Sequence, residues 1–347
     1  MLLLLLACAP DAERLLALQL SGDPEDKYTL APRRIDTLTD PLHMAGELGE
    51  VRAGGVLHLN LSTVDMEYRG GRGLEVLATA QDGVLHPLDR DGLVLFSFYG
   101  HVEDTWSALD AVGVDIAPLF PINIAVTPAI PDIGLALLPV ENAAYASTAN
   151  TFILLEDLVD KEVPLAANRG VIAHETGHGI FHLLTAGDPY APRLFGAEHP
   201  GVMGVSSLDE GFADMVAALS TDDPDFINPT MLLPERDLSG EHVASSVTSR
   251  PELEVPTLEY DPYPLGTVFA SVAWDLRLHS DDPEFTLQAV CQALIEWAEA
   301  EGDSEDAEVV YLYLDHLVMQ GDADWQQAAC EAIGVRFADV YSPQVCP

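Results

Sequence analysis

The sequence predicts an α+β protein, with strands concentrated in its first half and helices in its second. Between Gly55 and Phe98, short apolar runs alternate with Gly and Asp turns, as strands and their connections do. After about residue 168, apolar residues recur at helical spacing over four long stretches. No internal repeat or low-complexity tract breaks this order, so a solenoid is not expected. With 347 residues, 48% hydrophobic and 7% aromatic, the chain carries enough apolar side chains for one large core or two smaller ones, and disorder is expected only near its start.

From the N-terminus, Met1 to Ala7 form an apolar run too short to span a bilayer but long enough for the hydrophobic part of an export signal. Leu5-Leu6-Ala7-Cys8 resembles the lipobox of bacterial lipoproteins, which implies an exported chain cut before Cys8 and held at the cell envelope by a lipid on that cysteine. No Lys or Arg precedes the run, so a plain secretory signal leading to an extracellular protein is the alternative. Residues 1 to 21 thus read as leader and start of the mature chain. Residues 22 to 50, rich in Pro, Asp, Gly and Thr, read as a linker.

Residues 51 to 98 read as a small β-rich region, with strands over 56–61 and 93–98. The main domain is expected over 99 to 347, opening with a helix over 102–112 and a strand over 122–126 and staying β-rich to about 168. Helices then follow at 169–186, 207–220, 264–279 and 284–300, with shorter ones to 333. Such an order suits a β-rich N-terminal lobe and a helical C-terminal lobe with a cleft between them.

Fifteen Lys plus Arg against 57 Asp plus Glu give a formal charge of -42. That surface repels phosphate backbones and anionic lipid, which argues against nucleic acid as a partner, and a membrane is expected only through a lipid on Cys8. The acidic runs at 222–225 and 303–308 could hold Ca2+, although neither has the spaced loop of a calcium motif. In an oxidising compartment Cys330 and Cys346 could close a C-terminal loop, while Cys291 lies in an apolar pattern and reads as a buried, inert thiol.

The chemistry is concentrated in Val171-Ile172-Ala173-His174-Glu175-Thr176-Gly177-His178. On a helix, His174 and His178 at i and i+4 project from one face and can grip one zinc ion, while Glu175 on the adjacent face can take a proton from a water on that metal. His182, one more step of four, reads as a supporting or surface residue, since a third ligand there would need a bent helix. A catalytic zinc needs one more protein ligand, and Glu210 in Ser207-Leu208-Asp209-Glu210-Gly211-Phe212-Ala213-Asp214 is the candidate. Asp214, one turn on, could fix a histidine ring. The competing reading of Ser207 and Glu210 is a capping box at a helix start.

Together these residues resemble the thermolysin and fungalysin type of zinc peptidase, the gluzincins, which pair His-Glu-x-x-His with a downstream Glu-x-x-x-Asp. The resemblance runs from about Tyr99 to Leu276. It implies a thermolysin-like fold with the zinc helix at the floor of the cleft, Asn142 and Ala143 on an edge strand that binds the substrate backbone, and Tyr190 as an oxyanion donor. Tyr263 stands where the family carries a histidine; a tyrosine can donate to an oxyanion, but it does not shuttle a proton near neutral pH.

The expected activity is therefore zinc-dependent endopeptidase cleavage of a peptide or protein substrate, with Glu175, Tyr263 and Tyr190 as catalytic residues. The alternative from another class is a weak or inactive zinc-binding lipoprotein that holds peptides or a surface partner without cutting them.

Overall fold

A computed structural model describes residues 14–21, 27–60, 65–130, 143–155, 161, 163–186, 201–247, 260–301, 304, 306 and 308–347. Its secondary structure is mixed, strands preceding most of the helices. A four-stranded sheet in the order β2-β1-β9-β8 is built from β1 (Arg14–Leu20), β2 (Tyr28–Arg33), β8 (Ala78–Gln81) and β9 (Val84–Pro87). A second sheet has the path β11-β12-β10-β4-β3, from β3 (Ala45–Gly46), β4 (Gly49–Ala53), β10 (Ile122–Val126), β11 (Ala143–Ala146) and β12 (Thr151–Leu154), and β7 (Arg72–Gly73) pairs with β4. In this sheet β10 runs parallel to both β4 and β12, and β11 closes the edge antiparallel to β12. A separate hairpin joins β5 (Val56–Asn60) to β6 (Asp65–Arg69).

The helices are α1 (Arg90–Ala111), α2 (Arg169–Ala186), α3 (Val202–Thr221), α4 (Tyr263–Ser280), α5 (Pro283–Glu301), α6 (Leu312–Val318) and α7 (Ala323–Arg336). One apolar core runs through both halves, from Leu15 on β1 to Phe337 after α7. Among the described residues no helix is long and apolar enough to cross a membrane.

Two sequence expectations need correction. Residues 22 to 50 are not a bare linker: from Tyr28 on they form β2, β3 and the start of β4, and Ile35, Leu38, Met44 and Leu48 are buried in the common core. These apolar residues are spaced irregularly among turn formers, so periodicity does not reveal them. Residues 14 to 20, within the expected start of the mature chain, form a strand paired on both sides, with Leu15 and Ala17 buried. Finally, 93–98 is helix, inside α1, which also runs across the boundary expected at residue 99. The stretch Leu95, Phe96, Phe98, Tyr99 is almost wholly buried, and a continuous apolar run of that kind suits a buried helix as well as a strand. Asp89 caps α1, its carboxylate accepting from the Gly92 amide at 2.8 Å.

Helix α2 starts where Asn168 caps it, its Oδ1 accepting from the amides of Gly170 at 2.8 Å and Val171 at 3.2 Å. The same side chain donates through Nδ2 to Ile227 O and Thr230 Oγ1, and Tyr28 on β2 donates to its Oδ1. Helix α2 is thereby fixed from the N-terminal hairpin on one side and from the turn after α3 on the other. It is buried around most of its circumference, as a helix at the centre of a core must be.

The 330–346 loop is closed by a disulfide between Cys330 and Cys346, Cα to Cα 5.6 Å. Cys291 is buried and its thiol pKa is pushed up to about 12 by burial, so it is inert. The acidic run at 222–225 is already engaged: Asp222 pairs with Arg277, Asp223 with Lys27, and Asp225 accepts from Asn228.

Candidate metal centre

Helices α2 and α3 cross so closely that a Cβ on Gly177 would lie 2.7 Å from the Ala213 Cα. Only glycine permits that approach, and it brings Glu210, on α3, up to the histidines of α2. His174 Nε2 and His178 Nε2 are 3.2 Å apart, and Glu210 Oε2 lies 3.5 Å from the first and 3.7 Å from the second. Zinc bonds of about 2.0–2.1 Å at the tetrahedral angle demand donor separations of roughly 3.3 Å. Among the described residues these three form the one group of its kind.

Electrostatics also calls for a cation at this point. His174 Nδ1 lies 2.8 Å from Asp214 Oδ1, and His178 Nδ1 lies 2.8 Å from Asp209 Oδ1. Each aspartate therefore holds a proton on Nδ1 and leaves Nε2 as a lone pair aimed at the other ring. Glu210 Oε2 is buried with no hydrogen-bond partner. Two lone pairs and a carboxylate oxygen facing one another in a buried place need a proton or a metal between them. Consistent with this, burial lowers the pKa of His178, but the carboxylates of Asp209 and Glu210 override it and raise the value to about 10. Burial raises Glu210, yet His178 and His174 pull it down to about 2.

Glu175 is buried, 8% exposed, on the face of α2 beside the donor group. Desolvation raises its pKa above the ordinary carboxylate value, while the backbone N–H of Tyr145 donates to it and favours the charged form. Tyr145 belongs to β11, the edge strand, and a Cβ on Gly179 would lie 3.1 Å from its Cζ. The base candidate and the edge strand of the described sheet thus sit side by side. Ala143 begins β11, buried and in register with Leu154; Asn142 and Tyr190 lie outside the described residues.

The capping-box reading of Ser207 and Glu210 is overturned, because α3 begins at Val202 and Ser207 lies inside it. Ser207 Oγ pairs instead with the Tyr260 hydroxyl at 2.7 Å. His182 is buried, with its ring edge-on to Phe181, and stands outside the donor group.

Two residues of the site escape the sequence reading. Asp209 is the carboxylate behind His178; its only sequence signal is its place next to Glu210. Arg236, from the short turn Pro234–Arg236, donates through Nη2 to Asp214 Oδ1, the same oxygen that faces His174 Nδ1. Its guanidinium lies 4.6 Å from the ring centre of Tyr263 and 6.0 Å from that of Phe226, and Phe226 in turn stacks against His174. No periodicity or motif marks Arg236, since it reaches the site from an irregular segment.

Tyr263 opens α4 with its ring half exposed. Burial of its hydroxyl and then the charge of Glu210 push its pKa above the ordinary tyrosine value, with Glu175 and Asp214 adding to the rise. It is thus within electrostatic reach of the cluster and keeps its proton. The sequence matches no protein-family model, and no curated protein is found similar to it.

Proposed function

We propose that the chain is a zinc-dependent endopeptidase of the thermolysin type, with His174, His178 and Glu210 as metal ligands and Glu175 as general base. The observation that carries the reading is the three-donor group of tetrahedral spacing with a buried, pKa-raised Glu175 beside it. Zinc bound there would supply Lewis acidity toward the scissile carbonyl and lower the pKa of the attacking water.

The chain's own residues do the rest. An extended peptide can lie along β11, the edge strand of the sheet among the described residues, and hydrogen-bond to its backbone. Glu175, with its raised pKa, takes the proton of the attacking water and returns it to the leaving nitrogen. Tyr263 can donate a hydrogen bond to the developing oxyanion from a hydroxyl that stays protonated. Asp214 and Asp209 hold the two histidine rings in the tautomer that turns Nε2 inward.

The thermolysin-like two-lobed fold, zinc rather than another divalent metal, and export as a lipoprotein belong to the same proposal. The Cys330–Cys346 disulfide supports an oxidising compartment. Tyr263 in place of the family's histidine favours a second reading, a zinc-binding protein that holds peptides without cutting them.

A chain lacking residues 1 to 13, which keeps β1, is the material for the test. Cleavage of a mixed protein substrate should be abolished by a zinc chelator. The Glu175→Gln variant should retain one metal per chain while losing about 10^3-fold in kcat/KM. Full activity in that variant would exclude Glu175 as the base. One bound metal per chain with no cleavage by the parent would favour the binding protein.

A further inference from the structure

One buried cation has no part in the chemistry above. Arg336 is the last residue of α7 and is 7% exposed. Burying a guanidinium is costly unless its donors are matched, and here they are. Nε and Nη2 form a fork onto Asp275 of α4, at 2.8 and 2.9 Å. Nη1 donates to the carbonyl oxygens of Gly240 at 2.6 Å and His242 at 3.2 Å.

Those two carbonyls belong to the turn that directly follows Arg236. This segment contains only short helical turns, Pro234–Arg236 and Ala244–Ser246, so its course depends on individual backbone and side-chain hydrogen bonds. The Leu238 amide donates to Pro224 O at 3.1 Å, and within the turn His242 Nε2 meets Asp237 O at 2.7 Å and the Ser239 amide and hydroxyl donate to Asp237 Oδ1. A tie of longer range is Arg336, which reaches in from α7. Through it α4 and α7 hold the turn by its backbone, and the α7 end is itself near the Cys330–Cys346 staple.

We propose that Arg336, clamped by Asp275, is a positioning residue for Arg236: it fixes the 237–242 turn so that the Arg236 guanidinium meets Asp214 and, through Asp214, holds the His174 ring in place. This inference rests on the reading of the cluster as a metallopeptidase centre. A lysine cannot replace Arg336, because one ammonium cannot form the fork on Asp275 and also reach both carbonyls.

The test is a double-mutant cycle on the full chain with Arg236→Met, Arg336→Met and both together, reading kcat/KM, zinc affinity by chelator competition, and Tm. Arg236→Met should weaken zinc binding about 10-fold to 100-fold, and Arg336→Met should lower kcat/KM by up to about 100-fold through misplacement. The double variant should be no worse than Arg236→Met in kcat/KM and zinc affinity, while the two Tm losses add. Activity and affinity losses that multiply would overturn the proposal. Hydrogen exchange of the 236–242 amides gives a readout that does not need activity: Asp275→Asn, the milder break, should speed it at least about 10-fold with α7 still protected. Unchanged exchange there would also overturn the proposal, whereas a parent chain that binds no metal and cuts nothing would instead sink the functional reading.

Discussion

Four carboxylates, those of Glu175, Asp209, Glu210 and Asp214, surround two imidazoles and the single guanidinium of Arg236. With both imidazoles neutral the cluster carries an excess of negative charge in a buried place, which a divalent cation offsets better than a proton does. The two aspartates have unequal surroundings. Asp214 is 1% exposed and shared between His174 and Arg236, whereas the side chain of Asp209 is 25% exposed and serves His178. Replacing Asp209 by Ala should therefore weaken zinc binding about 10-fold to 100-fold, with little change in Tm. Asp209→Asn, which keeps an oxygen acceptor for Nδ1–H, should lose less. Equal zinc affinity in Asp209→Ala and the parent, by chelator competition, would show that this carboxylate does not support the ligand.

The placement of these groups depends on how α2, α3 and α4 approach one another. Gly177 faces Ala213 across the first crossing, and Gly211 meets Gly266 across the second, where a Cβ on Gly211 would lie 2.6 Å from the Gly266 carbonyl. At Gly177 two effects compete. Alanine would favour the helix by about 1 kcal/mol over glycine, but its Cβ would press on a backbone atom that cannot rotate away, and overpacking of this sort costs about 1–3 kcal/mol. The clash should win. Gly177→Ala should lower Tm and, because α3 carries Glu210, should weaken zinc binding as well. A variant with raised Tm and unaltered zinc affinity would mean that the helices have room to move apart without disturbing the site.

Across the molecule, a single core joins the N-terminal hairpin to the C-terminal helix, so the site is supported by residues from both ends of the chain. The same body carries a formal charge of -42, which repels itself in the compact state. Raising NaCl from about 0.1 M to about 1 M shortens the screening length from about 10 Å to about 3 Å. Tm of the metal-loaded protein should rise over that range. A fall in Tm would mean that the surface ion pairs such as Arg277–Asp222 contribute more than the repulsion takes away.

The central helix is legible in the sequence alone, because local spacing puts His174, Glu175 and His178 on adjoining faces of one helix, and α2 covers the residues the apolar pattern marks. Glu210 and Asp214 are also readable as a one-turn pair. Their distance to the histidines is not, since it depends on the crossing of α2 and α3 at Gly177. The strands within residues 22 to 50 and the helix over 93–98 escape a reading by pattern, because scattered or continuous apolar residues do not distinguish between elements until they have something to pack against. Asp209, Arg236 and Arg336 lie beyond its reach for a related reason: each acts through a partner distant in sequence, and charges brought together by folding leave no local period. Sequence spacing by itself determines which residues share one helix, while the packing of separate elements decides which carboxylates and cations surround them.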